Sequence, residues 1–277
     1  MEQAAEAMAH ESHFVSIADK GKIHYIRFGK GVRLLIIFHG FADRAQLFLN
    51  LSPALSDHFD IVAIDTPYHG ASEWEKDTFE PEDIQFLIQN ILAVKGHEKF
   101  SLMAHSMGGF IAFTMYKLMP QLVEEMIMLA PGGIYKALPF NAYLFPRPIR
   151  RFLRFTMGSK LMLKLMTLAY KTKFLHRSFY DFIVKHLENK RRKERLFNSW
   201  VSLSAFDLSH TQLRKKINQY QTPLCFFYGT KDKITPVKYA QKFIKNIPSA
   251  QIKMVEADHF FIKSPLKEAL GQWLNTR

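Results

Sequence analysis

Five short, largely apolar runs constrain this chain more than any other feature: Arg33–Phe38, Asp60–Ile64, Phe100–Ala104, Val123–Leu129 and Leu224–Tyr228. None alternates polar with apolar residues, so each reads as a strand buried on both faces rather than one with a wet side. Helical spacing fills the intervals. It runs over Arg44–Leu55, then from Pro81 through Ile84, Leu87, Ile88 and Leu92 to a stop at Gly96, and again through Phe110, Ile111, Met115 and Leu118. Past Pro223 the alternation resumes with helix Pro236–Ile247, strand Gln251–Val255 and helix Ser264–Leu274. Strands and helices in alternation predict a mostly parallel sheet covered on both faces. Ahead of it, His13–Ala18 and Ile23–Phe28 alternate around Lys20-Gly21-Lys22 and predict an antiparallel hairpin.

One segment breaks the pattern. Between Gly133 and Lys216 the chain reads as helical pieces interrupted at Pro139, Pro146 and Pro148, rich in Phe, Met and Leu. It also holds the charge: 19 Lys and Arg against 4 Asp and Glu, a net of +15, where the whole chain carries +13. The expected organisation is therefore a core from 1–132 and 217–277 with a helical, basic insertion at 133–216. A chain of 277 residues is ample for one such core.

The turn after Phe100–Ala104 carries a candidate nucleophile, Ser106. A serine between a buried strand and a helix takes a strained backbone conformation that tolerates only small residues two before and two after it, and Ala104 and Gly108 meet that demand. The same turn leaves the N–H of Met107 at a helix N-terminus, where it stabilises a developing oxyanion. The stretch Ala104-His105-Ser106-Met107-Gly108 resembles the G-x-S-x-G nucleophile elbow of α/β-hydrolases, with alanine in place of the first glycine. That methyl predicts slight crowding, not loss of the turn.

A serine nucleophile needs a base and a third group that holds the base in one tautomer. In α/β-hydrolases these follow in the order serine, acid, histidine, each in a loop after a strand. Leu224–Tyr228 is followed by Asp232, and Gln251–Val255 by His259, so these are the acid and base candidates. Taken singly, Asp232 is equally a turn former and His259 a cap or surface residue; their order and placement at strand ends select them. Glu256 and Asp258 are too near His259 in sequence to reach across it, Asp207 belongs to the insertion, and Asp65 precedes the serine and is read as organising its own loop. The resemblance further implies that the N–H of Phe41, in His39-Gly40-Phe41, pairs with that of Met107 as an oxyanion hole. It also implies that the Phe41 side chain lines the acyl pocket; His105 is assigned to substrate binding with it. Asp65-Thr66-Pro67-Tyr68-His69-Gly70-Ala71-Ser72 resembles the family's D-x-P-x-x-G-x-S loop. The likeness covers Ile23 to about Ala130 and Pro223 to the end, not the insertion.

Other chemistries lack their residues. No H-E-x-x-H or Cys/His ligand spacing points to a metal, no phosphate loop appears, and no cofactor is expected. Serine at the elbow argues against dehalogenases and epoxide hydrolases of the family, which use a carboxylate there. The glycine-rich loop of its carbon–carbon bond hydrolases is replaced by Phe41-Ala42-Asp43-Arg44. Cys225 is the one cysteine, expected to be a buried structural thiol, which fits a reducing, cytoplasmic setting. The first twelve residues lack a signal-peptide core, and no apolar run reaches the roughly 20 residues of a membrane span.

The reading that joins these features is an α/β-hydrolase fold with an inserted cap. It predicts a serine hydrolase of carboxylic esters with an apolar acyl site under a lid, lipase-like or lysophospholipase-like action leading. A non-catalytic homologue that binds a lipid or a partner, and a perhydrolase of the cofactor-independent haloperoxidase kind, stay open. So do thioester hydrolysis and the oligomeric state. Arg147, Arg150, Arg151 and Arg154 alternate with Phe145, Ile149, Phe152, Leu153 and Phe155, and Lys190–Arg195 adds a basic run, so peripheral attachment to an anionic membrane surface is expected and nucleic acid is not.

Overall fold

The computed structural model describes residues 9–134, 145–157, 159–172, 177–187, 189–206, 209–262 and 264–276. Its strands are β1 (Glu11–Ile17), β2 (Gly21–Phe28), β3 (Arg33–Phe38), β4 (Phe59–Ile64), β5 (Glu73–Trp74), β6 (Phe100–His105), β7 (Val123–Leu129), β8 (Leu224–Gly229) and β9 (Ala250–Val255). The helices are α1 (Ser52–Leu55), α2 (Pro81–Lys95), α3 (Gly108–Leu118), α4 (Arg147–Thr156), α5 (Lys160–Lys171), α6 (Arg177–Leu187), α7 (Lys190–Leu203), α8 (His210–Tyr220), α9 (Lys238–Ile244) and α10 (Ser264–Asn275). Two compact units divide the chain: Met1–Lys76, Pro81–Tyr135 and Leu208–Arg277 form the first, Asp77–Glu80 and Lys136–Asp207 the second.

The first unit holds one nine-stranded sheet in the order β1-β2-β4-β3-β6-β7-β8-β9, with β5 on β2. The expected hairpin β1–β2 is antiparallel and joins β4 antiparallel; from β4 to β9 every pairing is parallel. Parallel strands need both faces covered, and β4, β6 and β8 are buried along their whole length. Cys225 sits in β8 at 1% exposure. The chain runs from β3 outward to β4, then returns across β3 to β6. That reversal makes the carboxyl ends of β3 and β6 a switch point, where neighbouring loops diverge and leave a crevice.

Three local features depart from the sequence reading. Arg44–Leu55 is a 3-10 helix, Ala45–Leu51, followed by α1, because Pro53 has no N–H to continue an earlier ladder and instead opens a new first turn. The two-residue β5 gives no periodic signal. Helix α8, assigned in part to the insertion by the limit at 216, belongs to the first unit: it packs on α3 and buries Leu213 and Ile217 completely. Its Arg214, Lys215 and Lys216 extend the run of positive charge and so disguised the boundary.

The second unit contains α4–α7. Phe145, Leu153, Met157 and Trp200 pack on Phe197 and Val201 of α7. Arg154 ties the segment 77–80 to these helices: its guanidinium lies 2.8 Å from Asp77, donates to Asn198 at 2.8 Å and sits over the Phe197 ring. Phe79 donates its N–H to Ser202 Oγ and packs its ring against Phe206. Among the described residues no helix is long and apolar enough to cross a membrane.

Candidate active site

Ser106 follows β6 directly, with φ of 47°, a left-handed conformation that a non-glycine residue adopts at a cost. The turn is held on both sides: Ser106 N–H donates to Leu129 O at 3.1 Å, and Ser106 O accepts from Gly109 N at 2.9 Å and Gly132 N at 2.6 Å. A Cβ at position 108 would collide with the Phe38 carbonyl, which is why the residue two after the serine must be glycine. Ala104, fully buried between Phe38 and Met128 in the sheet, fits with its methyl in place. Met107 caps α3, where helix geometry provides its N–H no intrahelical acceptor.

Two further loops meet this serine. Gly229 ends β8, and a Cβ there would strike the carbonyls of Ala257 and Asp258, so glycine lets the β8 and β9 loops touch. Hydrogen bonds from Thr230 N to Val255 O, 2.8 Å, and from Lys231 N to Ala257 O, 2.9 Å, lock them together. The result brings all three sequence candidates into one array. Ser106 Oγ is 2.9 Å from His259 Nε2, and His259 Nδ1 is 2.7 Å from Asp232 Oδ2. The other Asp232 oxygen accepts the N–H groups of Ile234, 2.8 Å, and Thr235, 3.0 Å. An acceptor so occupied requires a proton on Nδ1 of His259, which leaves Nε2 as the lone-pair nitrogen facing the serine.

Charge follows from these contacts. Burial raises the Asp232 pKa, but the hydrogen bond from His259, the imidazole charge and the Thr235 donors outweigh it and hold the carboxyl below the usual carboxylate range. Burial dominates at His259 and, helped by the neighbouring His105, pushes the imidazole below its ordinary value despite Asp232. The base is therefore neutral at neutral pH.

Thr235 is the site residue that sequence reasoning missed. Its hydroxyl donates to Asp232 Oδ2 at 2.8 Å and lies 3.2 Å from both His259 Nδ1 and Ala130 O. In sequence it reads as one more turn residue before Pro236; its spacing of three from an aspartate is the signal of a side chain that closes back on that turn.

The loop after β3 carries the second expected oxyanion donor. His39 is fully buried, accepts the Thr66 N–H at Nε2, 3.1 Å, and therefore donates from Nδ1 to Gly40 O at 2.7 Å. Burial keeps its pKa low, consistent with that neutral tautomer. Asp43 N–H closes the turn on Gly40 O at 3.2 Å, and the Phe41 ring rests edge-on against His69. Phe41 is half-buried in this turn.

His105 corrects the sequence assignment. It is 2% exposed; its Nε2 is 3.1 Å from the His259 carbonyl, its Nδ1 3.6 Å from Asp43, and its ring lies against that of His259. Nε2 holds the backbone of the base, Nδ1 makes no hydrogen bond among the described residues, and the buried ring presents no accessible polar atom to a substrate. The competing acids are engaged elsewhere: Glu256 with Thr230 and Lys231, Asp258 with the Phe260 N–H. Asp65 accepts from Ala71 in its own loop and from Ala45 at the start of the 3-10 helix. Asp207 lies outside the described residues. No group of three metal-ligating side chains occurs among the described residues.

A family model described as the alpha/beta hydrolase fold matches residues 33–264. The chain is 26% identical over 235 residues to the dihydrolipoyllysine-residue acetyltransferase component of the acetoin cleaving system of Pseudomonas putida, covering 83% of this chain and 60% of that protein. It is 26% identical over 266 residues to the 2-hydroxy-6-oxo-6-phenylhexa-2,4-dienoate hydrolase of Burkholderia cepacia, 87% of each. Among solved structures, an esterase of Thermogutta terrifontis superposes with a TM-score of 0.66 at 17% identity, covering 96% of this chain and 98% of that one. With the matched region spanning both the elbow and the two loops that meet it, the chain belongs to the α/β-hydrolase family.

Proposed function

We propose that this protein is a serine hydrolase that cleaves carboxylic esters of apolar acyl groups. The observation that carries the proposal is the array Ser106–His259–Asp232, with the serine on a strained turn. Ser106 Oγ attacks the ester carbonyl carbon as His259 Nε2 takes the hydroxyl proton. The N–H groups of Met107 and Phe41 receive the oxyanion. His259 then returns the proton to the departing alkoxide, leaving an acyl-enzyme that water, deprotonated by the same nitrogen, hydrolyses. Asp232 holds the imidazole and stabilises its charge. The preference for apolar acyl groups rests on Phe41, half-buried in the loop after β3.

The loop Phe41-Ala42-Asp43-Arg44 lacks the glycine-rich stretch expected of the family's carbon–carbon bond hydrolases. A fluorophosphonate separates the enzyme from a non-catalytic homologue: an adduct on Ser106, coupled to loss of p-nitrophenyl ester turnover, supports the enzyme, whereas folded protein unlabelled at Ser106 rejects it. Esters graded by chain length then define the acyl group.

A membrane surface is the proposed location of the substrate. Ile149, Phe152 and Phe155 lie three apart on α4 and are exposed, Phe155 at 83%, beside exposed Arg151. Helix α7 opens with exposed Lys190, Arg191 and Arg192. Each basic residue near an anionic surface contributes about 1 kcal/mol, screened by salt. Sedimentation with phosphatidylserine vesicles should be strong at low salt, weak at high salt and reduced by Phe152→Ser with Phe155→Ser. Equal binding to neutral vesicles, or none, rejects this location.

A further inference from the structure

A second array of the same three side chains lies in the first unit, across β1, β2 and the end of β4. Ser12 Oγ is 2.7 Å from His24 Nε2, and His24 Nδ1 is 2.7 Å from Asp65 Oδ2. We propose that Ser12 is a second reactive serine, activated by His24 and Asp65, that takes up strongly electrophilic acyl or phosphonyl groups independently of Ser106.

The tautomer follows from the acceptor. Asp65 is fully buried, and its oxygens already accept the N–H groups of Ala45, 2.6 Å, and Ala71, 2.9 Å. His24 Nδ1 joins them as a donor, so in the neutral ring Nε2 holds the lone pair and receives the Ser12 hydroxyl. His24 is 2% exposed and its backbone N–H is held by Ser72 Oγ at 2.8 Å, which in turn donates to Asp65 O at 2.6 Å. The base is rigid and dry, while Ser12 itself is exposed.

The surroundings define what reaches it. In the β1–β2 register Phe14 opposes His24 and Ser16 opposes Lys22, so these side chains share the face that carries Ser12. Phe14 leans on His24 with ring centroids 4.9 Å apart and lines a shallow groove of about 330 Å³ with Ser16, Lys22 and Glu73. Ser12 lies within a regular strand, without the helix N-terminus that serves Ser106. Among the described residues no helix N-terminus lies at Ser12, so the class of reactant is one whose leaving group departs without help: a phosphonyl fluoride or an activated aryl ester. With a fluorophosphonate, the Ser12 oxygen bonds to phosphorus, the P–F bond breaks, fluoride leaves with the electron pair and the hydroxyl proton passes to His24 Nε2.

The test uses the full chain carrying Ser106→Ala, treated with a fluorophosphonate at pH 8 and read by intact mass and peptide mapping. The expected result is one adduct, on Ser12, absent from Ser106→Ala/Ser12→Ala. General-base assistance is worth on the order of 100-fold or more, so His24→Gln should slow the adduct by about that factor. Ser16, exposed on the same face without a histidine, is the internal control and needs no variant to fold. No adduct on Ser12, an adduct on Ser16 at a similar rate, or a rate indifferent to His24→Gln in folded protein overturns the proposal. Labelling of the unmutated chain at Ser106 answers the separate question of the first array.

Discussion

The arrays at Ser106 and Ser12 have nearly the same dimensions: serine to imidazole 2.9 and 2.7 Å, imidazole to carboxylate 2.7 Å in both. Each aspartate accepts two backbone N–H groups besides its histidine. What differs is the backbone under the serine. Ser106 stands at φ of 47° between a strand and the first turn of a helix; Ser12 stands in an extended antiparallel ladder. A base can take the hydroxyl proton, but turnover also requires somewhere for the negative charge to go, and of the two serines Ser106 is the one that precedes a helix N-terminus. The jobs of the two aspartates differ accordingly. Asp232 holds His259 where two loops meet, whereas Asp65 fastens the loop after β4 to β2 and back to the start of the 3-10 helix Ala45–Leu51.

The comparison breaks first at the nucleophile. Ser106→Ala should lower ester hydrolysis on the order of 10⁴-fold or more without loss of folding, His259→Ala by a similar factor and Asp232→Asn somewhat less, measured as kcat/KM. Ser106→Ala combined with His259→Ala should cost little beyond either alone; additive losses would mean that the residues do not act as a unit. A smaller effect, in a different observable, is expected at the other carboxylate. Asp65→Asn strands buried N–H groups and should lower stability by about 3 kcal/mol in urea unfolding. A stability unchanged within error would remove its fastening role.

Thr235→Val should reduce kcat about tenfold with KM nearly constant, the cost of one hydrogen bond to a charged group. If KM rises while kcat holds, Thr235 touches substrate instead of positioning Asp232. The smallest effect concerns pH. Because burial lowers the His259 pKa, the base stays neutral below the ordinary histidine value of about 6.5, and the acid limb of kcat/KM should lie below that point. The same sign governs stability: His39 and His259 bind protons less readily folded than unfolded, so stability should fall as pH drops below about 6.5. An acid limb centred above 7 contradicts the burial argument.

Much of this was legible in sequence because the residues involved obey a local rule. A strand buried on both faces has to be written as an unbroken apolar run, and Ser106 and Asp232 each follow such a run, whereas His259 follows β9, a half-exposed edge strand. His105 misled for the opposite reason: adjacency to a nucleophile suggested the pocket, yet the sharp turn sends consecutive side chains apart and leaves the imidazole among His259 and Asp43. Thr235 and the Ser12–His24 pairing were hidden because each depends on a partner that only the tertiary fold delivers. The placement of α8 was hidden by charge, which follows the solvent face and says nothing about which unit the buried face of Leu213 and Ile217 serves.

The small segment Asp77–Glu80 has a consequence for how this molecule is inherited and made. Phe79 waits 123 residues for Ser202, so the second unit is completed late in synthesis, by a strap that was translated long before the helices it joins. A recombination event that swaps residues 136–207 as one block therefore transfers an unfinished module, separating Arg154 from Asp77 and Phe206 from Phe79. Successful exchange between homologues requires both segments to travel together, by four crossovers or as one stretch 77–207, which ties the evolution of a four-residue connector to that of a helical segment more than fifty residues downstream.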